Sequence, residues 1–275
     1  MADIKGRMRR LITDVVPPIV LRPAQKLWRR TRGLGSHNFE GSWPTLADVP
    51  VTKSGDDDPW AQTIGAAWHE NFKTGGIASP TVDDSGKLIL PLLASQFTGP
   101  LTVLDFGGGP GAGLGNILRY APGIDLSRFS YVLVETAAMC RAVRSEIEAR
   151  SGRAVEDIPD TLPSPLIVHA GSSLQYISDY ESILSRLARL SPAFFVVSNT
   201  PMTDCPTYAR QILNTPHRKI ATWVFNRANF VAGMKSRGYR LVFSVDHDLP
   251  LTHKNAPGPS VMASMVFRAP LLESK

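Results

Sequence analysis

Within seven residues, Asp105-Phe106-Gly107-Gly108-Gly109-Pro110-Gly111 places an acid two positions before the first of four glycines. The apolar run 101–106 reads as a strand, and the chain after Gly111 reads as the start of a helix, so the glycines form the loop between them. Glycine admits positive φ angles and lets a ligand approach the backbone closely. At the carboxyl end of a strand, the Asp105 carboxylate can pair with a ligand ammonium or orient the loop. Gly107, Gly109 and Ala112 also satisfy the dinucleotide pattern G-x-G-x-x-A. A pyrophosphate over the loop amides would, however, be repelled by Asp105, because such sites favour negative charge in the ligand. A zwitterionic ligand with an amino-acid moiety fits better.

Glu135 ends the next apolar run, where an acid can accept hydrogen bonds from both hydroxyls of a ribose and so serve any adenosine-containing cofactor. A helix N-terminal acid favoured by the macrodipole would stand in the same place. Ser172 and Ser173 open the segment Ser172-Ser173-Leu174-Gln175-Tyr176, which follows a further strand at the edge where open parallel sheets bind ligands. Its polar side chains could contact a ligand, or the segment could be a helix cap with a buried tyrosine. Glu156 and Asp157 fall at the expected end of the third strand. His169 ends a strand, as a reacting group or as a satisfied core histidine.

These residues need a frame. From about Leu88 onward, short apolar runs alternate with helical stretches, the pattern of a doubly wound parallel sheet. Strands are expected over 101–106, 131–135, 166–169, 194–198, 239–245 and 261–267, with helices over 113–119, 137–150, 180–190 and 227–236. About fifteen polar, Pro/Gly-punctuated residues join the last two strands with no helix, which suits an antiparallel hairpin. Residues 204–222 read as a loop rich in Pro and Thr. The expected architecture is a Rossmann-like, mostly parallel, seven-stranded sheet closed by an antiparallel C-terminal hairpin, with a helical and irregular N-terminal appendage. Residues 1–87 form that appendage and 88–275 the main domain. Four of five tryptophans (Trp28, Trp43, Trp60, Trp68) fall in the appendage, where Pro59 begins a helix expected over 59–72.

Charge is distributed unevenly. Residues 1–33 carry nine basic residues against two acids, a net of +7, so the remaining 242 residues sum to −1 within the total of +6. A basic arm on a neutral body suits anionic membrane headgroups, or is simply solvated charge. The neutral body gives no reason to expect nucleic acid. No apolar run reaches the length of a bilayer crossing, and Asp14 with Pro17-Pro18 breaks the best N-terminal candidate, which also argues against a signal peptide. Two cysteines, Cys140 and Cys205, are too few for a disulfide scaffold and lack metal-ligand spacing. The expectation is a cytoplasmic protein with free thiols and no metal.

Asp105-x-Gly107-x-Gly109-x-Gly111 resembles motif I of class I S-adenosylmethionine-dependent methyltransferases, and Glu135 resembles their ribose-binding acid. The resemblance spans roughly residues 88–268. More narrowly, the chain is similar to a family of methyltransferases found among bacterial surface-polysaccharide genes. The matching segments are Pro17-Pro18, Phe39-x-Gly41-Ser42-Trp43, Ser172 to Tyr176, Thr200-Pro201 and Trp223-Val224-Phe225-Asn226, in that order. The resemblance implies S-adenosylmethionine as cofactor, held by Asp105, Gly107, Gly108, Gly109, Gly111, Glu135, Ser172 and Ser173. It also implies methyl transfer to a hydroxyl or amino group of a surface-glycan sugar or its precursor.

Such a reaction is an in-line displacement that positioning alone can catalyse, with a base optional. His217, in the loop on the expected substrate side, is the candidate base. Trp43, Trp223 and Phe225 could stack on a sugar or pack in the core. Arg210, Arg218 and Lys219 could receive the phosphate of an activated sugar. A nicotinamide-dependent oxidoreductase would keep the glycine loop, but Asp105 and the helix-free ending count against it. A non-catalytic module of the same fold at the membrane surface would account for the basic arm.

Overall fold

The computed structural model describes residues 39–52, 85–121, 123–215, 218–247 and 253–270. His217, the basic arm and the helix expected over 59–72 lie outside them. Described strands and helices follow in chain order. They are β1 (Phe39–Trp43), α1 (Ser85–Ala94), β2 (Leu101–Phe106), α2 (Ala112–Tyr120), β3 (Phe129–Val134) and α3 (Ala137–Glu148). Next come β4 (Gly152–Val155), β5 (Leu166–Gly171), α4 (Tyr180–Arg189) and β6 (Phe194–Thr203). The hairpin β7 (Tyr208–Thr215) and β8 (Arg218–Asn226) precedes α5 (Arg227–Ser236), β9 (Arg240–His247), β10 (His253–Lys254) and β11 (Ser260–Arg268).

The main sheet has the order β4-β3-β2-β5-β6-β11-β9 among the described residues. β2 to β6 pair in parallel, and β11 lies antiparallel between β6 and β9. This is the expected Rossmann-like, mostly parallel sheet with an antiparallel ending. Both faces are covered, which explains why the parallel strands are apolar at nearly every position. Alternate residues divide between two cores: Leu104, Leu166 and Val168 join Leu184, Leu187 and Phe230 on one face. Val103 and Ile167 join Leu114, Ile117, Met139 and Val143 on the other.

The helices are cut to length by their caps. Thr136 Oγ1 accepts the Met139 N–H, Asp179 accepts the Ser182 N–H, and Asn226 accepts the Asn229 N–H. Gly238, at φ +89°, ends α5 in the left-handed region that glycine tolerates.

Residues 204–222 do not form the expected loop. They are mostly the β7–β8 hairpin, which pairs with β1 and β10 in a second group of strands, β10-β1-β7-β8. The two groups meet where Met202 and Thr203 of β6 pair with Phe225 and Asn226 of β8. β6 is thus longer than expected, running through Asn199 at φ +49° to its pairs with β8.

Trp223 and Phe225 belong to the core. The Trp223 indole donates to the Ile177 carbonyl at 3.0 Å, and the Phe225 ring lies 4.7 Å from that of Tyr180. Neither is a free wall for a sugar. Among the described residues no helix is long and apolar enough to cross a membrane.

Candidate functional site

The carboxyl ends of β2, β3 and β5 bring Asp105, the glycine loop, Glu135, Ser172 and Ser173 to one edge of the sheet. Asp105 is fully buried beneath the loop rather than facing outward. Its Oδ1 lies 2.8 Å from His169 Nδ1, and its Oδ2 accepts the Tyr131 hydroxyl. His169 Nε2 in turn meets Ser198 Oγ at 2.8 Å. With Nδ1–H donating to the Asp105 carboxylate, Nε2 can accept the Ser198 hydroxyl proton, so both ring nitrogens have partners. Tyr131, Asp105, His169 and Ser198 come from four adjacent strands and form a continuous polar ladder across the sheet. Burial, and then the negative Asp105, hold the Tyr131 hydroxyl well above the usual tyrosine range, so it remains a proton donor.

Ser198, His169 and Asp105 stand in the order of a hydrolytic triad, but Ser198 is buried at 3% exposure on a central strand. Such a serine braces the strand instead of attacking a substrate. His169, with both ring nitrogens engaged, is the satisfied core histidine of the two readings. Asp105 likewise orients the loop. A β-carbon on Gly108 would fall 2.5 Å from its carboxyl carbon, and one on Gly113 would strike Oδ2 and approach the Tyr131 hydroxyl to 3.0 Å. Glycine at both positions makes room for the acid.

Above this base the loop is held at both ends. Gly107 N–H donates to the Val134 carbonyl at 2.8 Å, and Gly111 N–H to the Gly108 carbonyl at 3.1 Å. Gly109 N–H donates to Glu135 Oε1 at 3.0 Å, while Glu135 Oε2 accepts from Thr136 N–H at 2.8 Å. Gly109, at φ +57°, has open space where a side chain would begin. Glu135 therefore occupies an amide that would otherwise be offered to a phosphate, and it does so beside space for a ligand.

Ser172 adopts φ +53°, which turns the chain so that Ser173 packs against Gly107. Ser173 Oγ and Gln175 Oε1 are buried polar atoms with no hydrogen-bond partner. An orphaned buried acceptor or donor costs about 1–3 kcal/mol, which a ligand or water can recover. Tyr176 is 42% exposed, so the segment is not a cap over a buried tyrosine. Asp157 binds Arg186 at 2.8 Å, an ion pair on the surface. That pair, with the Ile158 N–H, lowers the Asp157 pKa. Both cysteines are free.

Two features lay beyond the sequence reading. The His169–Ser198 half of the ladder joins residues far apart in the chain, with no local signal. Arg210 is not a loop cation: it is 1% exposed on β7. Lys219 is exposed, and Arg218 begins β8. Among the described residues no cluster of three or more His, Cys, Asp or Glu is arranged to hold a metal ion.

No protein-family profile matches the sequence, and no curated protein matches it. Solved structures are similar to it in fold. The Burkholderia thailandensis 1,6-didemethyltoxoflavin-N1-methyltransferase, bound to 1,6-didemethyltoxoflavin and S-adenosylhomocysteine, is 14% identical at a TM-score of 0.46. It covers 79% of this chain and 92% of its own. Magnesium protoporphyrin IX methyltransferase from Synechocystis PCC 6803 is 10% identical at 0.48, covering 79% and 99%. The CcbJ methyltransferase from Streptomyces caelestis is 16% identical at 0.45, covering 78% and 99%. At these values the reading of function rests on the side chains of this chain.

Proposed function

We propose that this protein is an S-adenosylmethionine-dependent methyltransferase. The observation that carries the reading is the Glu135 carboxylate on the Gly109 amide, at the joint carboxyl edge of β2 and β3. An acid already seated on the loop amide disfavours the pyrophosphate of a dinucleotide and suits a ligand that brings hydroxyls and a cation. The oxidoreductase reading is weaker for that reason.

The residues fit the cofactor. Glu135 would accept from the ribose hydroxyls, the backbone of Gly107, Gly108, Gly109 and Gly111 would lie against the ligand, and Ser172 with the unpartnered Ser173 Oγ would supply polar contacts. Asp105 acts from beneath by fixing the loop. The bound cofactor supplies an electrophilic methyl on a sulfonium. The chain's part is to hold an acceptor oxygen or nitrogen in line with that methyl and to keep water out. His169 is not available as a base, since Asp105 and Ser198 hold both nitrogens. His217 remains the candidate base.

The acceptor in this reading is a hydroxyl or amino group of a bacterial surface-glycan sugar or its precursor. The ordered segments of resemblance support it, as does Trp43, which lines a shallow groove of about 290 Å³ with Glu40, Gln211 and Lys219. Residues 88–275 would be the catalytic unit of a cytoplasmic enzyme, with 1–87 as cap and basic arm. The arm would rest residues 1–33 on anionic lipid, and binding to acidic liposomes that weakens with salt would check this.

Calorimetric titration with S-adenosylmethionine and then NADH tests the central reading. Saturable binding of the first alone is expected. Glu135→Ala should weaken it by about 1.5–3 kcal/mol with a much smaller change in stability. Binding of NADH alone, or unchanged affinity in the variant, would overturn the cofactor site. Methyl-labelled cofactor offered with nucleotide-sugars, lipid-linked glycans, RNA and protein then reads the acceptor class.

A further inference from the structure

Arg210 lies on β7 opposite Thr222 of β8, and its guanidinium carbon is 3.8 Å from the centroid of the Phe39 ring. At 1% exposure it is among the largest fully buried side chains, and among the described residues no carboxylate pairs with it. A buried guanidinium is ordinarily paired, because desolvating its charge is costly. Burial pushes its pKa down to about 10, against the milder opposite influence of Tyr208 and Tyr176.

The neighbours settle which of its donors are spent. His253 Nε2 donates to the Gly41 carbonyl at 2.9 Å, so Nδ1 is free to accept the Tyr208 hydroxyl at 3.2 Å. Ser260 in turn hydrogen-bonds to Tyr208, and Arg210 Nη1 reaches Ser260 Oγ only at 3.5 Å. Arg210 Nε has no hydrogen-bond partner. The result is a buried arginine over the Phe39 ring, with a donor unspent and, among the described residues, no counter-charge. Its location agrees with an acceptor site. Trp223 of β8 is tied to Ile177, just beyond the Ser172 to Tyr176 segment, and Tyr176 is near enough to act electrostatically on Arg210.

We propose that Arg210, framed by Phe39, Tyr208 and Ser260, is a subsite for an anionic oxygen group of the methyl acceptor, a phosphate or a carboxylate. The proposal rests on the methyltransferase reading for the word acceptor, but anion binding itself does not depend on it. Planar, forked and poorly hydrated, a guanidinium suits either group.

The test uses the full chain with inorganic phosphate and, separately, acetate as probes, at ionic strength matched with sodium chloride. S-adenosylmethionine is titrated in parallel. Wild-type protein should bind at least one probe saturably, and which one it binds tells phosphate from carboxylate. Arg210→Gln should weaken that binding at least about tenfold and Arg210→Lys by less, with affinity for S-adenosylmethionine unchanged. If neither variant folds, the Nε–H resonance of Arg210 in the wild-type protein must shift with probe concentration. No saturable binding of either probe, equal binding by Arg210→Gln, or an unmoved Nε–H resonance would overturn the subsite. Failure of S-adenosylmethionine to bind, with the anion still bound through Arg210, would instead overturn the methyltransferase reading and leave the anion site standing.

Discussion

Two of the places where the molecule buries polar groups treat them in opposite ways. Beneath the glycine loop, Tyr131, Asp105, His169 and Ser198 satisfy one another across four strands. On the second group of strands, Arg210 is buried as deeply, yet Nε has no partner and no described carboxylate faces the charge. A closed network costs nothing further and fixes a geometry, whereas an open one keeps an energetic debt until something binds. The contrast separates polar residues that hold the site together from those that await a ligand.

The largest effect should come from the closed network. Asp105→Ala strands the His169 Nδ1–H and the Tyr131 hydroxyl without an acceptor, and is expected to cost about 3–5 kcal/mol of stability in urea unfolding. A loss of cofactor affinity with stability intact would mean that the carboxylate serves the ligand directly, and the contrast would fail. Gly113→Ala drives a methyl group into the same carboxylate and should cost about 1–3 kcal/mol by the same measurement. A neutral result there would show that the ladder yields easily.

Arg210→Met is the mirror experiment. Removing a charge with no carboxylate partner should leave stability unchanged or raise it by about 1 kcal/mol in the absence of ligand. A loss as large as that of Asp105→Ala would put Arg210 in the closed class. The smallest effect is one of pH. Burial lowers the His253 and His247 pKa values below the ordinary 6.5. As pH falls through 6.5, the unfolded chain takes up protons that the folded chain resists, so stability should decline on the acid side. Urea midpoints followed across that value should show the decline, and His253→Phe should reduce it. A rise in stability on acidification would reverse the assignment of neutral rings.

The main sheet was legible because its strands are continuous apolar runs and its helices carry caps and period. The 101–106 strand and the 227–236 helix fall where pattern places them. The β7–β8 hairpin was not legible because Tyr208–Thr215 and Arg218–Asn226 carry Arg, Gln, Lys, Thr and Asn, the residues of a solvated loop. Their signal was the nearly continuous apolar run from Ile220 to Phe225, which is buried from Thr222 onward. The site divides in the same way. Asp105, the glycines and Glu135 announce themselves by spacing along one strand-loop-helix unit. That Asp105 faces inward could not be read, because its partner His169 lies 64 positions away and Ser198 a further 29.

The seat of β11 bears on how the protein comes to be folded during synthesis. β6 and β9 are each synthesised before β11 exists, and until that strand arrives β9 has no neighbour in the main sheet and β6 has only β5 there. Meanwhile β6 presents an open edge, and β9 shows Leu241, Val242 and Phe243, which remain exposed even in the finished fold. Closing the sheet requires a contact between Ser260 and Thr203 and the run of pairs beyond it, all non-local and therefore slow to form. Nascent chains halted between β9 and β11 would be sticky rather than merely incomplete, and their clientship for holding chaperones should end when β11 clears the exit tunnel.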